Sequence, residues 1–450
     1  MLKLICIAGL LLLLAPTGLA ADDAYHPGRT AFELMFGDKG ERRRALRRAS
    51  HRRDKAMIAP MLYALRYQNP DAREYIVEAL TKITRKEYGD DWFRWMQYQQ
   101  ARPELTTFAA FDVFLSRVFS AIDPNFKRFV YPGMPHRIRL QEIVWGGVKA
   151  VDGIPALDHP RMIAPAEADY ITDEEWVFGI RINGEARAYP YRFMDWHEML
   201  NDTIGGMPIS LAYCTLCGSG ILFDARKSEA ARYTFGSSGL LYRSNKLMYD
   251  QETSSLWNQF SGEPVTGVLA DSGIKLSVLP LVTTTWERWY ADNPDTTVMQ
   301  YETGVQRDYR LGAPYGSYFR DPKLMFPSLT EDRQLPQKSQ VFGLRISGAH
   351  KAWPLKAFRR GKVLNDQVGV LKVVLIGDAK TRQVRAYRSS GITFAKQDRN
   401  LQNVRGDGQA WQVTEAALVG ADGRSLSRLP GHLAFWFAWH NFLDGDSLAD

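Results

Sequence analysis

Apolar residues recur at helical spacing in the first quarter of the chain and then, from about residue 140, in short runs separated by turn formers, which predicts an α+β fold. Met57, Ile58, Met61, Leu62 and Leu65 fall at i, i+3, i+4 positions, Asn69-Pro70-Asp71 interrupts the run, and Tyr75, Ile76, Ala79, Leu80 and Ile83 resume it. That is the pattern of an antiparallel helix pair. An aromatic helix around Trp92, Trp95 and Tyr98 is predicted to pack on the pair, giving a helical-repeat-like domain.

The strand-rich part of the chain repeats itself. Val177-Phe178-Gly179-Ile180-Arg181 returns as Val341-Phe342-Gly343-Leu344-Arg345, Ala188-Tyr189-Pro190 as Ala352-Trp353-Pro354, and Leu200-Asn201-Asp202 as Leu364-Asn365-Asp366, at a constant offset of 164. Further on, Ser237-Ser238-Gly239 meets Ser389-Ser390-Gly391 and Trp257 meets Trp411, while Leu279-Pro280 with Trp286 and Trp289 meets Leu429-Pro430 with Trp436 and Trp439 at an offset of 150. Two related strand-rich α+β modules are therefore predicted, an internal repeat. Each begins with a hairpin turning at Asn183-Gly184 or Ser347-Gly348, pairs that tolerate positive φ. A helix over about 191–200 follows in the first module, and a β-branched strand such as Val373-Val374-Leu375-Ile376 comes later in the second.

Length and composition add boundaries. A chain of 450 residues, 45% apolar and 24% charged, holds two or three ordinary globular domains, and it is neither wholly disordered nor polytopic in a membrane. Leu2 to Leu14, with Lys3 at its start, precedes Gly18-Leu19-Ala20, the small-x-small pattern of a cleaved signal peptide, which implies a periplasmic or secreted protein. The predicted divisions are a signal peptide (1–20), a helical domain (21–105), a first α+β module (106–325) and a second, degenerate one (326–450). Without residues 1–20 the chain keeps 56 Lys+Arg against 50 Asp+Glu. The excess sits on residues 42–55, where Arg42, Arg43, Arg44, Arg47, Arg48, Arg52, Arg53 and Lys55 face Asp54 alone. Charge confined to one segment argues against a nucleic-acid partner; it suits a solvated helix face and, second, contact with an anionic membrane surface.

Removal of Cys6 with the signal leaves Cys214 and Cys217. Comparing the modules suggests which residues carry chemistry: His197 in the first faces Gly361 in the second, and the run Cys214–Phe223 is predicted to be missing from the second altogether. Cys214-Thr215-Leu216-Cys217 admits three readings. A soft-metal site, copper or zinc, would take His197 as third ligand and Met248 as a fourth, since thiolate, thioether and imidazole donors suit those ions. A redox pair would use one thiol as attacker and the other to resolve, with His197 as nearby acid-base. A structural disulfide suits an oxidising compartment, but a ring this small removes only about 2 kcal/mol of chain entropy. The weaker signals are that Tyr242, Ser244, Asn245, Asp250 and Arg307 are candidates for lining a ligand site, Phe235-Gly236-Ser237-Ser238-Gly239 reads as a turn or anion cradle, Arg307-Asp308 as an ion pair, and Asp152-Gly153-Ile154-Pro155 as a turn. Trp257, Trp286 and Trp289, present in both modules, read as core.

Trp196-His197-Glu198-Met199-Leu200-Asn201-Asp202, Ala212-Tyr213-Cys214-Thr215-Leu216-Cys217-Gly218, Phe235 through Ser244, and Met248-Tyr249-Asp250 through Ser255-Leu256-Trp257 together resemble the bacterial domain-of-unknown-function family 3179. The resemblance covers roughly residues 140–320, with Thr215 where the family usually has proline. It implies an exported protein whose characteristic site comprises His197, Cys214, Cys217 and the Tyr242–Trp257 segment, and it implies no reaction. The leading expectation is a soft-metal centre; the alternatives are a thiol-disulfide oxidoreductase and a binding module with a structural disulfide.

Overall fold

In the computed structural model, residues 25–68, 72–151, 153–329, 334–443 and 448–449 are described. The expected signal peptide, the Asn69–Asp71 interruption and Asp152 lie outside the described residues. Two units are resolved, ending and beginning at Asp90 and Asp91. No helix among the described residues is long and apolar enough to cross a membrane.

The first unit is built from α1 (Pro27–Phe36), α2 (Lys39–Arg52), α3 (Ile58–Tyr67) and α4 (Arg73–Thr84). The last two are the helix pair that the spacing predicts, and Met57, Ile58, Met61, Leu62, Leu65, Ile76, Ala79, Leu80 and Ile83 are all buried. Tyr75 departs from the pattern: it lies exposed, and its ring carries the Arg43 guanidinium 4.5 Å from the centroid. The arginine-rich segment forms α2, started by a reciprocal cap between Asp38 and Glu41 that satisfies two orphan amides. Only Ala45, Leu46 and Ala49 of α2 are buried, so its arginines ride on the solvent side of a helix anchored by small apolar residues.

The aromatic helix α5 (Trp92–Gln100) belongs to the second unit, not to the helix pair. Gln99 donates to the Gln141 carbonyl at 2.9 Å and Gln97 to the Ser328 carbonyl at 2.9 Å, so its polar side chains bond far along the same unit. After α6 (Phe111–Ile122), strands dominate. The segment Trp176–Ile182 pairs with Glu185–Pro190 through Asn183 (φ 49°) and Gly184 (φ 88°), and Gln340–Ile346 pairs with Ala349–Pro354 through Ser347 (φ 50°) and Gly348 (φ 84°). The register is the same in both: Phe178 faces Tyr189 and Phe342 faces Trp353.

Glycine is required at the center of each hairpin, because a Cβ on Gly179 would enter the Trp289 ring and one on Gly343 the Trp439 ring. Those tryptophans sit on α8 (Trp286–Asp292) and, beyond α9 (Gly316–Arg320), on α10 (Trp436–Phe442). Both are fully buried, so the repeated Phe-Gly dipeptide is the imprint of helix-on-sheet packing. Other contacts recur in both regions. Tyr189 donates to Asp202 at 2.6 Å and Trp353 to Asp366 at 2.8 Å; Asn201 clasps the backbone of Phe235, and Asn365 that of Phe394. The second clasp joins the two edge strands of an eight-stranded sheet, Lys362–Val368 and Phe394–Lys396, curling it toward a barrel.

Two local expectations need correction. The helix over 191–200 is shorter: α7 (Tyr191–His197) stops where Glu198 turns left-handed (φ 57°), and Met199–Ile204 is a strand that carries Asn201 and Asp202 inward. The Cys214–Phe223 run is not missing from the second region. Met207–Cys214 and Ser219–Asp224 form a hairpin closed by Cys214 opposite Ser219, and Leu371–Asp378 with Gln383–Arg388 form another closed by Asp378 opposite Gln383. At the offset of 164, Asp378 and Thr381 stand in the second hairpin where Cys214 and Cys217 stand in the first.

Candidate functional site

The Cys214–Cys217 turn is a single tight loop. The Cys217 amide bonds the Cys214 carbonyl at 3.1 Å, the Gly218 amide bonds that of Thr215 at 3.2 Å, and Gly218 exits left-handed at φ 57°. This winding puts the two sulfurs on one side, 2.8 Å apart and unbonded, both buried. The turn is pinned from outside: the Phe435 amide donates to the Cys217 carbonyl at 2.7 Å, and the Tyr318 hydroxyl to the Leu216 carbonyl at 2.7 Å. Phe435 belongs to the second region, which therefore braces the thiol loop of the first.

A second turn faces the sulfurs from inside. Strands Phe235–Tyr242 and Asn245–Asp250 are joined by Arg243 (φ 50°) and Ser244 (φ 63°), two side-chain-bearing residues in the left-handed region. Such positions cost of order 1 kcal/mol each and persist where the surroundings demand them. Here the turn aims the Ser244 carbonyl at the Cys217 sulfur (3.4 Å) and the Asn245 amide at the same atom (3.2 Å). Asn245 also donates to Gln259 at 2.9 Å, and Gln259 is fixed in turn by the Ala212 and Ser219 carbonyls.

Beside the thiols lies a buried ion pair. Lys246, 3% exposed, reaches the Glu198 carboxylate at 3.2 Å and the Glu198 carbonyl at 3.2 Å. Glu198 also accepts from Thr215 at 3.1 Å and Tyr315 at 3.5 Å. Burial pushes the Lys246 ammonium below its usual range, while Glu198 and the Cys214 sulfur hold it up. Burial pushes the Cys217 thiol well above its ordinary value and adjacent Cys214 adds to this, against the Asn245 amide. A buried ion pair contributes little net stability, so Lys246 and Glu198 beside two thiols point to chemistry.

His197 does not join this cluster. Its Nδ1–H donates to the Pro155 carbonyl at 2.7 Å, which leaves Nε2 to accept from the Tyr309 hydroxyl at 2.7 Å. With both ring nitrogens committed and burial lowering its basicity, the imidazole is a neutral clasp between the 155 and 309 loops. The expected ligand set of His197, Cys214, Cys217 and Met248 is thus not assembled, and among the described residues no group of three or more His, Cys, Asp or Glu side chains is placed to hold a metal ion. Met248 is buried in its strand opposite Ser237 and Trp257.

Of the other ligand candidates, Ser244 and Asn245 meet the sulfurs and the rest do not. Tyr242 ends its strand against Arg243. Asp250 accepts from Thr253 and from Trp257 Nε1 at 3.0 Å, which makes it a turn brace. Arg307 lies over Trp196, 5.7 Å from the ring centroid, and Asp308 pairs with Arg310 instead of Arg307. Phe235–Gly239 is neither turn nor cradle but part of a fully buried strand. Spacing alone does not single out Glu198, Lys246, Gln259, Thr215, Tyr315 or Tyr318, although Glu198 and Thr215 sit inside the motifs that carry the resemblance and Lys246 inside the Tyr242–Trp257 segment.

A family match covers residues 151–446, for the family described as "Protein of unknown function (DUF3179)". The chain belongs to this family. The match runs through both strand-rich regions, so the DUF3179 unit is larger than the stretch of about 140–320 and includes the part that braces the thiol turn. Comparison with curated proteins and with solved structures returns no match.

Proposed function

We propose that this DUF3179 protein is a redox module in which Cys214 and Cys217 cycle between dithiol and disulfide. The observation that carries the reading is the pair of unbonded sulfurs 2.8 Å apart, buried beside the Lys246–Glu198 ion pair. A neighbouring ammonium stabilises negative charge that develops on an attacking thiol, and the buried Cys217 thiol keeps its proton until the resolving step, where it gives it up as it attacks. In exchange with a small disulfide, Cys214 attacks one sulfur, forms a mixed disulfide as the substrate S–S bond breaks, and expels the first thiolate, which takes up the proton that Cys214 loses. Cys217 then attacks Cys214, and the second thiolate leaves with the Cys217 proton. The balance is one dithiol and one disulfide in, one disulfide and two thiols out. Both cysteines are buried, so the partner is a small molecule and not a folded protein.

Two expectations complete the reading. The strand-rich regions are copies of one unit, supported by the common register, the glycine–tryptophan contacts and the hairpins at offset 164. The protein works outside the cytoplasm, supported by Leu2–Ala20, and the arginines of 42–55 offer a basic face to an anionic membrane surface.

The test is equilibration of the purified chain against glutathione couples of graded potential, with alkylation and mass read for each state. The expected result is a two-electron transition between free and linked Cys214 and Cys217, with Lys246→Met shifting its midpoint. Protein that carries one equivalent of copper or zinc, lost in Cys214→Ser, overturns the redox reading in favour of metal binding; a disulfide that resists every couple overturns it in favour of a structural bond.

A further inference from the structure

On the opposite face of the thiol hairpin, where Tyr213 points away from its neighbour Cys214, a cavity of about 440 Å³ opens between the two strand-rich regions. It lies within the size range of small-molecule sites, roughly 300–1,000 Å³. Its lining is chemically uneven. Trp176, Tyr191, Phe319 and Phe435 supply aromatic surface. Asp195 supplies a carboxyl that is 5% exposed, hydrogen-bonded to Tyr213, with its Oδ1 lacking any partner. An orphaned buried acceptor costs about 1–3 kcal/mol and marks a place where a donor is missing.

Cations complete the lining. Arg382 stacks on Trp176, 4.0 Å from the ring centroid, and forms no ion pair among the described residues. Lys338 is held by the Tyr318 and Asp321 backbone carbonyls and likewise has no carboxylate partner there. Arg192, by contrast, is neutralised by Glu175 at 2.6 Å, and Glu174 is the one exposed acid of the wall. Gly218 and Arg382 hold the same place in the two hairpins, with φ 57° and 54°, and both line this cavity. The second region contributes a guanidinium where the first has a glycine, against which the Phe435 ring packs.

We infer that this cavity binds a small aromatic carboxylate that carries a hydroxyl or amino donor: its carboxylate meets Arg382 and Lys338, its ring packs among Trp176, Tyr191 and Phe435, and its donor satisfies Asp195. A guanidinium stacked on indole pairs with a planar carboxylate without being desolvated anew. The site is separate from the dithiol and stands whether or not the thiols are redox-active.

Calorimetric titration of the full chain with 4-hydroxybenzoate tests it, with benzoate and 4-hydroxybenzyl alcohol as probes that lack the donor and the anion. The expected result is one-to-one binding of 4-hydroxybenzoate at least tenfold tighter than either probe. Arg382→Gln, at a half-buried turn where folding tolerates change, weakens it at least tenfold, and Asp195→Ala removes the advantage over benzoate. Absence of binding, equal binding of the three compounds, or full affinity in Arg382→Gln overturns the inference.

Discussion

The two strand-rich regions use the same contacts to different ends. In the first, the hairpin turn carries Cys214 and Cys217, and a lysine and a glutamate are buried beside them. In the second, the corresponding turn carries Asp378 and Thr381, where Asp378 merely caps the turn through the Lys380 amide at 2.8 Å. The hairpin, the glycine under tryptophan and the asparagine clasp are common to both, so they serve folding. Whatever is special to the first region lies in the side chains added to that frame, and the second contributes Phe435 as a brace and Arg382 as a cation on the cavity they share. If this division is right, disturbing the added groups and disturbing the frame should have different signatures.

The largest expected effect comes from opening the buried ion pair. Glu198→Ala leaves the Lys246 ammonium without its counterion, and removing one member of a buried pair typically costs about 3–5 kcal/mol. Chemical denaturation should show this loss, while Glu198→Gln together with Lys246→Met recovers most of it. A cost under about 1 kcal/mol for Glu198→Ala would mean that the pair is solvated and is no marker of chemistry.

A comparable effect of opposite sign is expected at Asp195, where burial raises the carboxyl from the ordinary aspartate value of 3.8 to about 7. Between those limits the folded chain keeps a proton that the unfolded chain has released, so stability falls as pH rises through the window and is flat above it. The full penalty is of order 4 kcal/mol. Asp195→Asn should therefore match the parent below pH 4 and gain on it progressively up to about pH 7. Melting curves across that range check the slope; a parent whose stability rises from pH 4 to 7 relative to the variant refutes it.

The frame is tested by its glycines. Gly179→Ala and Gly343→Ala each drive a methyl into a tryptophan ring, and overpacking of this kind costs about 1–3 kcal/mol. Both should cost about the same, since both rings are fully buried, whereas only the first region holds the thiols. A large cost in one and none in the other would separate the regions as folding units.

Much of the frame was legible in the sequence because local rules set it: the helix pair from its spacing, the hairpins from Asn183-Gly184 and Ser347-Gly348, the tryptophans from their recurrence. The site was only half legible. Two thiols three residues apart meet wherever the turn is tight, but the direction of the His197 ring depends on Pro155 and Tyr309, the second of them 112 residues away. Glu198 and Lys246 look like ordinary surface charges until the fold buries them together, 48 residues apart. Spacing also put a gap where the second region has a hairpin, because the Asp378–Arg382 turn shares no side chain at matching positions with the Cys214–Gly218 turn.

The smallest effect compares one contact that both regions keep. Arg187 meets Asp202 at 2.6 Å where the carboxylate is 4% exposed, and Lys351 meets Asp366 at 2.8 Å where it is 25% exposed. A solvated pair is worth about 0.2–1 kcal/mol, because water already satisfies both charges. Lys351→Met should stay within that range and lose even this at high salt. Arg187→Met exposes the difference, since Asp202, left with the Tyr189 hydroxyl at 2.6 Å, the Thr203 amide and the His159 ring at 3.5 Å, remains a buried carboxylate. Denaturation of the two variants in low and high salt reads the contrast: a salt-insensitive loss at Arg187 larger than the loss at Lys351 shows that the first region buries what the second leaves to solvent, and equal losses would show that burial of this contact contributes nothing to the difference between them.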